Sequence, residues 1–262
     1  MKSVLKYPGS KNRIADWILS FVPEHDVYLE PFFGSGSVLF NKERSHIETV
    51  NDLNHDVVNF FKMIRKAPDQ LAALINFTPF SREEYNRSFV KTECNELEKA
   101  RLFCVQCWQG FGASNMYKNG FKSGQQKSSP NPAKAWDELP FIVIEAAQRL
   151  KEVQIECLPA IELIKRYDTS DVFIYADPPY LKGCRKGYLY KYEMSDQEHV
   201  ELLETLLCHP GKVLISGYDN DLYNSILEGW HKEQKSTLAE GGNKRIETLW
   251  MNYDPFNQLS LF

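Results

Sequence analysis

The sequence predicts an α/β fold in which a mostly parallel sheet carries helices on both faces. Short apolar runs typical of buried strands alternate with segments of helical periodicity at both ends of the chain. Between these parts, residues 110–140 are polar, rich in Gly, Ser, Asn and Pro, and without clear periodicity. The 262 residues, of which 43% are hydrophobic, suffice for one large domain or for a domain with an insertion.

The N-terminal part begins the alternation of strands and helices. DVYLEP has the composition of a short strand, FGSG of a tight turn, and HDVVNFFKMIRK places apolar residues at helical spacing. The predicted elements in order are the strand 26–31, the helix 37–44, the strand 47–52, and helices at 55–66, 68–76, 81–91 and 95–108.

The second half resumes the same alternation after the irregular segment. The predicted elements are the helix 141–150, the strand 153–158, the helix 160–167, the strand 172–177, a helix near 195–208, the strand 211–218, a short helix, and strands near 230–237 and 246–253. Since strands and helices alternate on both sides of the interruption, we expect one sheet domain from residues 1–60 and 141–254. Residues 61–140 form the expected insertion, and residues 255–262 form a short tail.

The composition predicts a soluble, intracellular protein. It contains no apolar run of transmembrane length, and its start lacks the apolar core of a signal peptide, so we expect a cytoplasmic protein. The six cysteines show no secreted-framework spacing, and we expect Cys104 and Cys107 to be buried thiols of one helix rather than zinc ligands, with no metal bound.

The charge distribution is more informative than the net charge of −4. Residues 99–136 contain six basic residues, no Asp or Glu, and several aromatic residues. A basic segment with interspersed aromatic rings is typical of nucleic-acid binding. The sequence therefore indicates a nucleic-acid contact in the irregular middle of the chain.

The stretch DVFIYADPPYLKG places chemistry directly after a buried strand. Asp177 stands at the strand tip, where ligands bind in open α/β sheets. Pro178 and Pro179 fix two φ angles and end the pairing, and Tyr180 adds an aromatic face. This combination favours a flat, polar ligand.

A glycine turn follows the first strand and provides a second binding signal. Gly34 and Gly36 let a ligand approach the backbone, and Asp52 at the tip of the next strand can accept hydrogen bonds from ribose hydroxyls. The G-x-G pair alone is a weak motif, but the acid makes a nucleoside-containing ligand the better interpretation. The absence of Lys-Ser/Thr after the glycines excludes a P-loop.

Five motifs in order resemble the Dam-type DNA adenine N6-methyltransferases, including their phage-encoded relatives. They are KYPGSK at 6–11, EPFFGSG at 30–36, ND at 51–52, DPPY at 177–180 and ISGYD at 215–219. The resemblance implies a Rossmann-like methyltransferase fold with an inserted, mainly helical and irregular target-recognition lobe. It also implies methyl transfer from S-adenosylmethionine to the N6 amine of a flipped adenine in duplex DNA, in a bacterial or phage-infected cell.

The resemblance assigns roles to particular residues. The catalytic residues would be Asp177, Pro178, Pro179 and Tyr180. The methyl donor would be bound by Tyr7, Lys11, Glu30, Pro31, Phe32, Gly34, Gly36, Asp52 and Asp177. The clustering of basic residues, rather than the resemblance, indicates the DNA contacts, which would be Lys118, Lys122, Lys127, Lys182, Arg185, Lys186, Lys244 and Arg245.

The chain departs from the family pattern at two places. VQIECL leads into Pro159, where relatives often carry an acid that holds the donor's adenine. Residues 112–128 are not similar to the hairpin that reads GATC in the best-known members, so the sequence predicts no recognition site.

Other functions share some of these features. Methylation of cytosine N4 or of a glutamine side chain would use the same fold, although Asp177 favours adenine. A DNA-binding relative without catalysis and an NAD-dependent oxidoreductase are the remaining alternatives. At the C-terminus, Gln258–Phe262 reads QLSLF and is similar to the short peptides that bind the bacterial sliding clamp. Binding to the clamp and packing of this tail on its own domain are the two alternatives.

Overall fold

The computed structural model describes residues 1–90, 93–112, 117–124, 126, 130–184, 189–238 and 244–256. Within these residues, seven strands form one sheet in the order β3-β2-β1-β4-β5-β7-β6. The strands are β1 Val27–Glu30, β2 Ile47–Asn51, β3 Val153–Glu156, β4 Val172–Ala176, β5 Lys212–Tyr218, β6 His231–Leu238 and β7 Lys244–Met251.

Strands β1 to β6 all run in the same direction, and only β7 runs antiparallel to them. Strand β1 pairs with β2 on one side and with β4 on the other, and the pair Leu29↔Ile174 fixes the second register. Strand β7 pairs antiparallel with both β5 and β6. The mostly parallel, Rossmann-like sheet is therefore confirmed, and its strand order reverses between β1 and β4, where ligands bind in such sheets.

The described part of the chain contains ten α-helices. They are α1 Ala15–Leu19, α2 His55–Lys66, α3 Pro68–Asn76, α4 Arg82–Arg87, α5 Glu96–Gln109, α6 Pro132–Asp137, α7 Leu139–Arg149, α8 Ala160–Arg166, α9 Asp196–Leu207 and α10 Asp221–Ile226.

The side chains of β4 alternate between two hydrophobic cores. Phe173 and Tyr175 join the core formed with α2, α5 and α7, whereas Ile174 joins the core formed with α8, α9 and α10. All five residues of β4 are buried, as expected for a strand covered on both faces. The predicted packing of helices on both faces of the sheet is confirmed.

The segment 61–140 shares its core with the sheet domain. Leu71 and Trp136 belong to the same buried cluster as Val4 and Phe60, and the Trp108 indole N–H donates to the Val4 carbonyl at 3.1 Å. The expected boundaries also lie inside helices, since α2 spans residue 60 and α7 spans residue 140. The division into a sheet domain and a lobe stays a prediction.

The helix predicted at 37–44 is wrong, because these residues form turns after the glycine loop. The Asn41 side chain donates to the Ser37 carbonyl at 2.8 Å, and such a bond competes with helical pairing. The sequence interpretation also missed α1 and α6. Helix α6 had a visible signal, since the Asn131 side chain caps the backbone N–H of Ala133 at 3.0 Å.

Asn51 joins the loops that follow three neighbouring strands. Its buried side-chain amide donates to the Pro31 carbonyl at 2.9 Å and to the Leu158 carbonyl at 3.0 Å, and accepts from the Leu158 N–H at 2.8 Å. These bonds connect the carboxyl ends of β1, β2 and β3, where the site lies.

Cys104 and Cys107 are buried in α5, as predicted. In the described ranges, no group of three or more His, Cys, Asp or Glu residues is arranged to hold a metal ion. None of the described helices has the length and apolar character needed to cross a membrane.

Candidate active site

An open cavity lies at the carboxyl ends of β1, β2 and β4, with about 840 Å³ of empty space. Four of the sequence motifs contribute to its wall: the segment before α1, the glycine loop after β1, Asp52 after β2, and the DPPY turn after β4. The lining includes Tyr7, Lys11, Glu30, Phe32, Phe33, Gly34, Ser35, Asp52, Asn54, Tyr175, Asp177, Pro179, Tyr190, Tyr192 and Met194. The residues predicted from separate motifs thus meet in one place.

Asp177 is held from two sides. Lys11 Nζ lies 2.8 Å from Asp177 Oδ2, and the Ser216 hydroxyl donates to Asp177 Oδ1 at 2.8 Å. Lys11 is 5% exposed and also donates to the Gly9 carbonyl at 2.8 Å. Burial alone would lower the pKa of Lys11, but the carboxylates of Asp177 and Glu247 outweigh it and raise that pKa. Lys11 is therefore a permanent cation beside Asp177.

The two prolines and the tyrosine of the turn differ in exposure. Pro179 lines the cavity, while Pro178 and Tyr180 are buried. Tyr180 is only 8% exposed, and its hydroxyl donates to Glu247 Oε2 at 2.6 Å. Its ring lies 4.5 Å from the ring of Tyr218 in a nearly perpendicular orientation. The aromatic face expected from the sequence is therefore mostly covered by protein.

Asp52 binds the glycine loop directly. Its two carboxylate oxygens accept from the backbone N–H groups of Gly34 and Asn54, each at 2.8 Å. Burial raises the pKa of Asp52 to about 6, although the two N–H donors act in the opposite direction. The carboxylate consequently titrates near neutral pH.

Gly34 and Gly36 take φ angles of +50° and +69°, which L side chains rarely adopt. A Cβ atom at Gly36 would lie 2.6 Å from ring atoms of Phe33 and of Phe40. The loop therefore requires glycine at position 36 for both its backbone conformation and its packing.

Glu30 at the tip of β1 is buried and lines the cavity. Its carboxyl accepts a hydrogen bond from the Tyr28 hydroxyl at 2.8 Å. Burial raises the pKa of Glu30 to about 8, with a further contribution from Asp177. At pH 7 most of this side chain is neutral and can donate a hydrogen bond.

Tyr7, Pro31 and Phe32 complete the predicted donor-binding set. The Tyr7 hydroxyl accepts from the Asn54 side chain at 3.2 Å, and the Tyr7 ring lies beside Gly34. Phe32 is half-buried in the cavity wall, while Pro31 is buried behind it, where its carbonyl accepts from Asn51.

A sequence model of the D12 class of N6 adenine-specific DNA methyltransferases matches residues 7–238. The chain belongs to this class. The family prediction made from the five motifs is thereby confirmed. Adenine N6 is preferred over cytosine N4 and over glutamine as the methylated group. A methyltransferase is likewise preferred over a non-catalytic DNA-binding protein and over an NAD-dependent oxidoreductase.

The methyltransferase is similar along most of its length to proteins from archaea, bacteria and phage. It is 26% identical to the type II methyltransferase M.MjaIII of Methanocaldococcus jannaschii, over 97% of this chain and 99% of that protein. It is 25% identical to the DNA adenine methylase of Escherichia coli K12, over 97% and 96% of the two chains. The DNA N-6-adenine-methyltransferase of Escherichia phage P1 is 25% identical over 82% of this chain and 29% of its own length.

The residues predicted to contact DNA fall in three groups. Lys118 and Lys122 lie on the irregular segment, Lys118 exposed and Lys122 half-buried. Lys182 is exposed in a short 3-10 helix after the DPPY turn, and Arg245 in β7 donates to the Cys184 carbonyl of that helix at 2.9 Å. Lys244 begins β7. Lys127, Arg185 and Lys186 lie outside the described residues, as does Gln258–Phe262, so the clamp contact stays a prediction.

Several residues of the methyltransferase site were not assigned from the sequence. The hydroxyls of Ser10, Ser35 and Ser37 lie within 3.0 Å of one another on the cavity wall. Ser216 stands inside the ISGYD motif and Ser10 inside KYPGSK, so their motifs marked the right places without indicating their roles. Glu247 carried no sequence signal.

Proposed function

We propose that this methyltransferase uses S-adenosylmethionine to methylate the N6 amine of an adenine flipped out of duplex DNA. The observation that supports the proposal best is Asp177, held by Lys11 and Ser216 at the wall of a cavity shared with Asp52 and the glycine loop. Because an adenine inside a duplex keeps its N6 amine in a base pair, the base must leave the stack to reach this wall.

The chemistry of the cavity fits the methyl donor. Asp52 offers a carboxylate for ribose hydroxyls, and Gly34, which lines the cavity with a positive φ angle, lets the donor approach the loop backbone, while Gly36 packs against Phe33 and Phe40. Tyr7 and Phe32 provide aromatic walls. Lys11, Glu30 and Pro31 would complete this side of the site, and the bound donor would supply an electrophilic methyl group on a positively charged sulfur.

The target side of the site is built to accept hydrogen bonds. The N6 lone pair of adenine is delocalised into the ring, so the amine is a poor nucleophile until it becomes pyramidal. Asp177 and the Pro178 carbonyl would each accept one N6–H. An ionised carboxylate has about four lone-pair sites, so Asp177 can accept from Lys11, Ser216 and the base at once. Positioning and preorganised electrostatics then supply most of the acceleration.

Tyr180 would form the wall against which the flipped base lies. The hydroxyl bond to Glu247 and the contact with Tyr218 set the plane of its ring before DNA binds. With 8% of Tyr180 exposed, the base would contact the rim of the ring beside Pro179. Stacking on an aromatic side chain contributes roughly 1–3 kcal/mol per base.

Glu30 would serve the site as a neutral acid. A second carboxylate charge near Asp177 would oppose the ionisation of both groups, and the raised pKa of Glu30 removes this conflict at pH 7. The protonated carboxyl is then a hydrogen-bond donor inside the cavity wall.

The segment between α5 and α6 would supply part of the DNA-contacting surface. Gly110 pairs antiparallel with Phe121, and the Tyr85 hydroxyl donates to the Asn119 carbonyl at 2.8 Å. These bonds fix the base of a loop on which Phe111 is 69% and Tyr117 is 58% exposed. Exposed aromatic rings beside lysines are suited to bases and phosphates, so the segment 61–140 would read the target.

Salt dependence tests the lysines of this surface. Replacing both Lys118 and Lys122 with alanine is expected to weaken DNA binding and to reduce the slope of log K against log salt by about two, because each phosphate contact contributes about 0.9. The measurement is fluorescence anisotropy of labelled duplex DNA between low and physiological salt. Lys151→Ala/Lys165→Ala, which removes two exposed lysines elsewhere, should keep the wild-type slope. Equal slopes for all three proteins would remove these lysines from the DNA-binding surface.

Mass-spectrometric nucleoside analysis tests the reaction itself. Unmethylated duplex DNA is incubated with the protein and S-adenosylmethionine and then digested to nucleosides. N6-methyladenine is the expected product, and it should be absent without the donor. N4-methylcytosine would change the target base, and no modified nucleoside in any duplex DNA would refute the proposed reaction.

A further inference from the structure

Glu247 is a buried carboxylate that the family match does not include. It lies in β7, beyond residue 238 where that match ends, and it is 9% exposed. Its partner in the sheet register is Tyr218 of β5. Its Oε2 accepts the hydroxyl hydrogen of Tyr180 at 2.6 Å, a distance typical of a strong bond to a charged acceptor. A side chain of β7, which β5 separates from β4, thus contacts the DPPY turn.

The Tyr180 ring is held by three different groups. The Lys11 ammonium lies 4.7 Å from its centroid, the Tyr218 ring lies 4.5 Å away at 70°, and Glu247 binds its hydroxyl. Pro178 and Pro179 fix the backbone of the turn but leave the side-chain torsions of Tyr180 free. The bond at the far end of the ring removes this freedom.

Strand β7 directs a second side chain to the same region. Arg245 lies two residues before Glu247, so both project from one face of the strand. The Arg245 guanidinium lies 4.9 Å from the centroid of the Tyr218 ring and donates to the Cys184 carbonyl at 2.9 Å. Tyr218, the ring that contacts Tyr180, is therefore itself braced by β7.

We propose that Glu247 is a positioning residue for base methylation, which fixes the plane of Tyr180 through the hydroxyl–carboxylate bond. This inference depends on the proposed function of Tyr180 as the wall of the base site. Strand β7 then contributes to the reaction by holding Glu247 against Tyr180, in addition to forming the edge of the sheet with β6. A purely structural Glu247 would instead affect stability without a selective effect on turnover.

The test compares Glu247→Ala, Glu247→Gln, Tyr180→Phe and the double variant Tyr180→Phe/Glu247→Ala. We expect Glu247→Ala and Tyr180→Phe each to lower kcat about tenfold at saturating DNA and donor, the effect of one hydrogen bond to a charged group. Glu247→Gln keeps an acceptor oxygen and should retain at least about a third of wild-type kcat. The double variant should be no slower than the slower single variant, because all three lose the same bond.

Two measurements on each variant distinguish a positioning role of Glu247 from a loss of folded structure: the affinity for the methyl donor and the melting temperature. The dissociation constant of S-adenosylmethionine, measured by calorimetry, should stay within about twofold of wild type in Tyr180→Phe, which removes a single oxygen atom. Glu233→Ala on the neighbouring strand β6 serves as the matched control and should keep wild-type kcat. Glu247→Ala with unchanged kcat, Glu247→Gln as slow as Glu247→Ala, or a double variant about 100-fold slow from two independent losses would each overturn the inference.

These outcomes are distinct from failure of the proposed function. If wild-type protein forms no N6-methyladenine in DNA, the reaction itself is wrong and the comparison of variants has no basis. If wild type forms N6-methyladenine and the Glu247 variants match it in kcat, only the positioning role is refuted.

Discussion

Replacing Asp177 with asparagine is expected to lower the methylation rate by about 10²- to 10³-fold, the order of effect seen when a preorganised electrostatic group is lost. In the proposed reaction the carboxylate would accept an N6–H only as long as its oxygens face the base, and Lys11 and Ser216 hold both oxygens in place. An amide in the same place turns one acceptor into a donor, which would oppose both Lys11 and the N6 amine. Donor binding should weaken far less than the rate, because the amide keeps the size of the side chain.

The measurement is single-turnover transfer of a labelled methyl group to duplex DNA, with donor binding measured in parallel by calorimetry. Asp171→Asn is the matched control, since Asp171 is exposed at the opposite end of β4 and should tolerate the change. A rate within tenfold of wild type in Asp177→Asn would refute a direct contact of this carboxylate with the base.

Asparagine is a better substitution here than alanine. Both substitutions leave the buried Lys11 cation without its nearest carboxylate, and breaking a buried ion pair from one side costs about 3–5 kcal/mol, but asparagine keeps an amide oxygen that can still accept from Lys11. Loss of activity in the alanine variant would therefore combine the chemical effect with a larger folding effect. The melting temperatures of the two variants distinguish these contributions.

Most of the sheet could be predicted from local sequence patterns, for a physical reason. The strand before Asp177 is a short apolar run buried on both faces, so its composition differs sharply from that of the amphipathic helices. The failures occur where local side chains compete with the backbone. In the predicted helix 37–44 the Asn41 side chain binds the Ser37 carbonyl, while the Asn41 backbone N–H donates to the Val38 carbonyl, so the helical pairing of the Ser37 carbonyl is lost.

The site residues that lie at the ends of parallel strands could be predicted from the sequence. Those brought in by pairing between strands far apart in the sequence could not. Glu30 ends a parallel strand, Asp52 and Asp177 each follow one, and the carboxyl ends of such strands meet at one edge of the sheet. Glu247 comes to Tyr180 only because β7 turns back antiparallel beside β5, across a sequence separation of 67 residues. No local sequence pattern predicts that β7 pairs with β5 in this register. Nor does a local pattern distinguish the neutral Glu30 from an ionised acid.

Asp52 gives the second large expected effect, a pH-dependent affinity for the donor. An ionised carboxylate accepts ribose hydroxyls, whereas the protonated form loses part of that capacity. Since the pKa of Asp52 is raised to about 6, the group is mostly ionised at pH 7 and mostly protonated at pH 5. Donor affinity should therefore fall about tenfold from pH 7 to pH 5, by the Henderson–Hasselbalch relation for a single ionised acceptor. Glu30, whose pKa is about 8, stays protonated across this window and does not contribute.

Asp52→Asn is expected to weaken donor binding about 10- to 100-fold at pH 7, because a hydrogen bond to a charged group contributes about 1.5–3 kcal/mol. The same variant should lose the pH dependence between pH 5 and pH 7, since it removes the titrating group. Its amide would also place an NH₂ group against the N–H of Gly34 or of Asn54, which loosens the glycine loop at any pH. Calorimetric titration of S-adenosylmethionine at several pH values measures both effects, with Asp69→Asn in the exposed part of α3 as the control. A variant that binds the donor as tightly as wild type, or that keeps the wild-type pH dependence, would show that Asp52 does not contact the ribose.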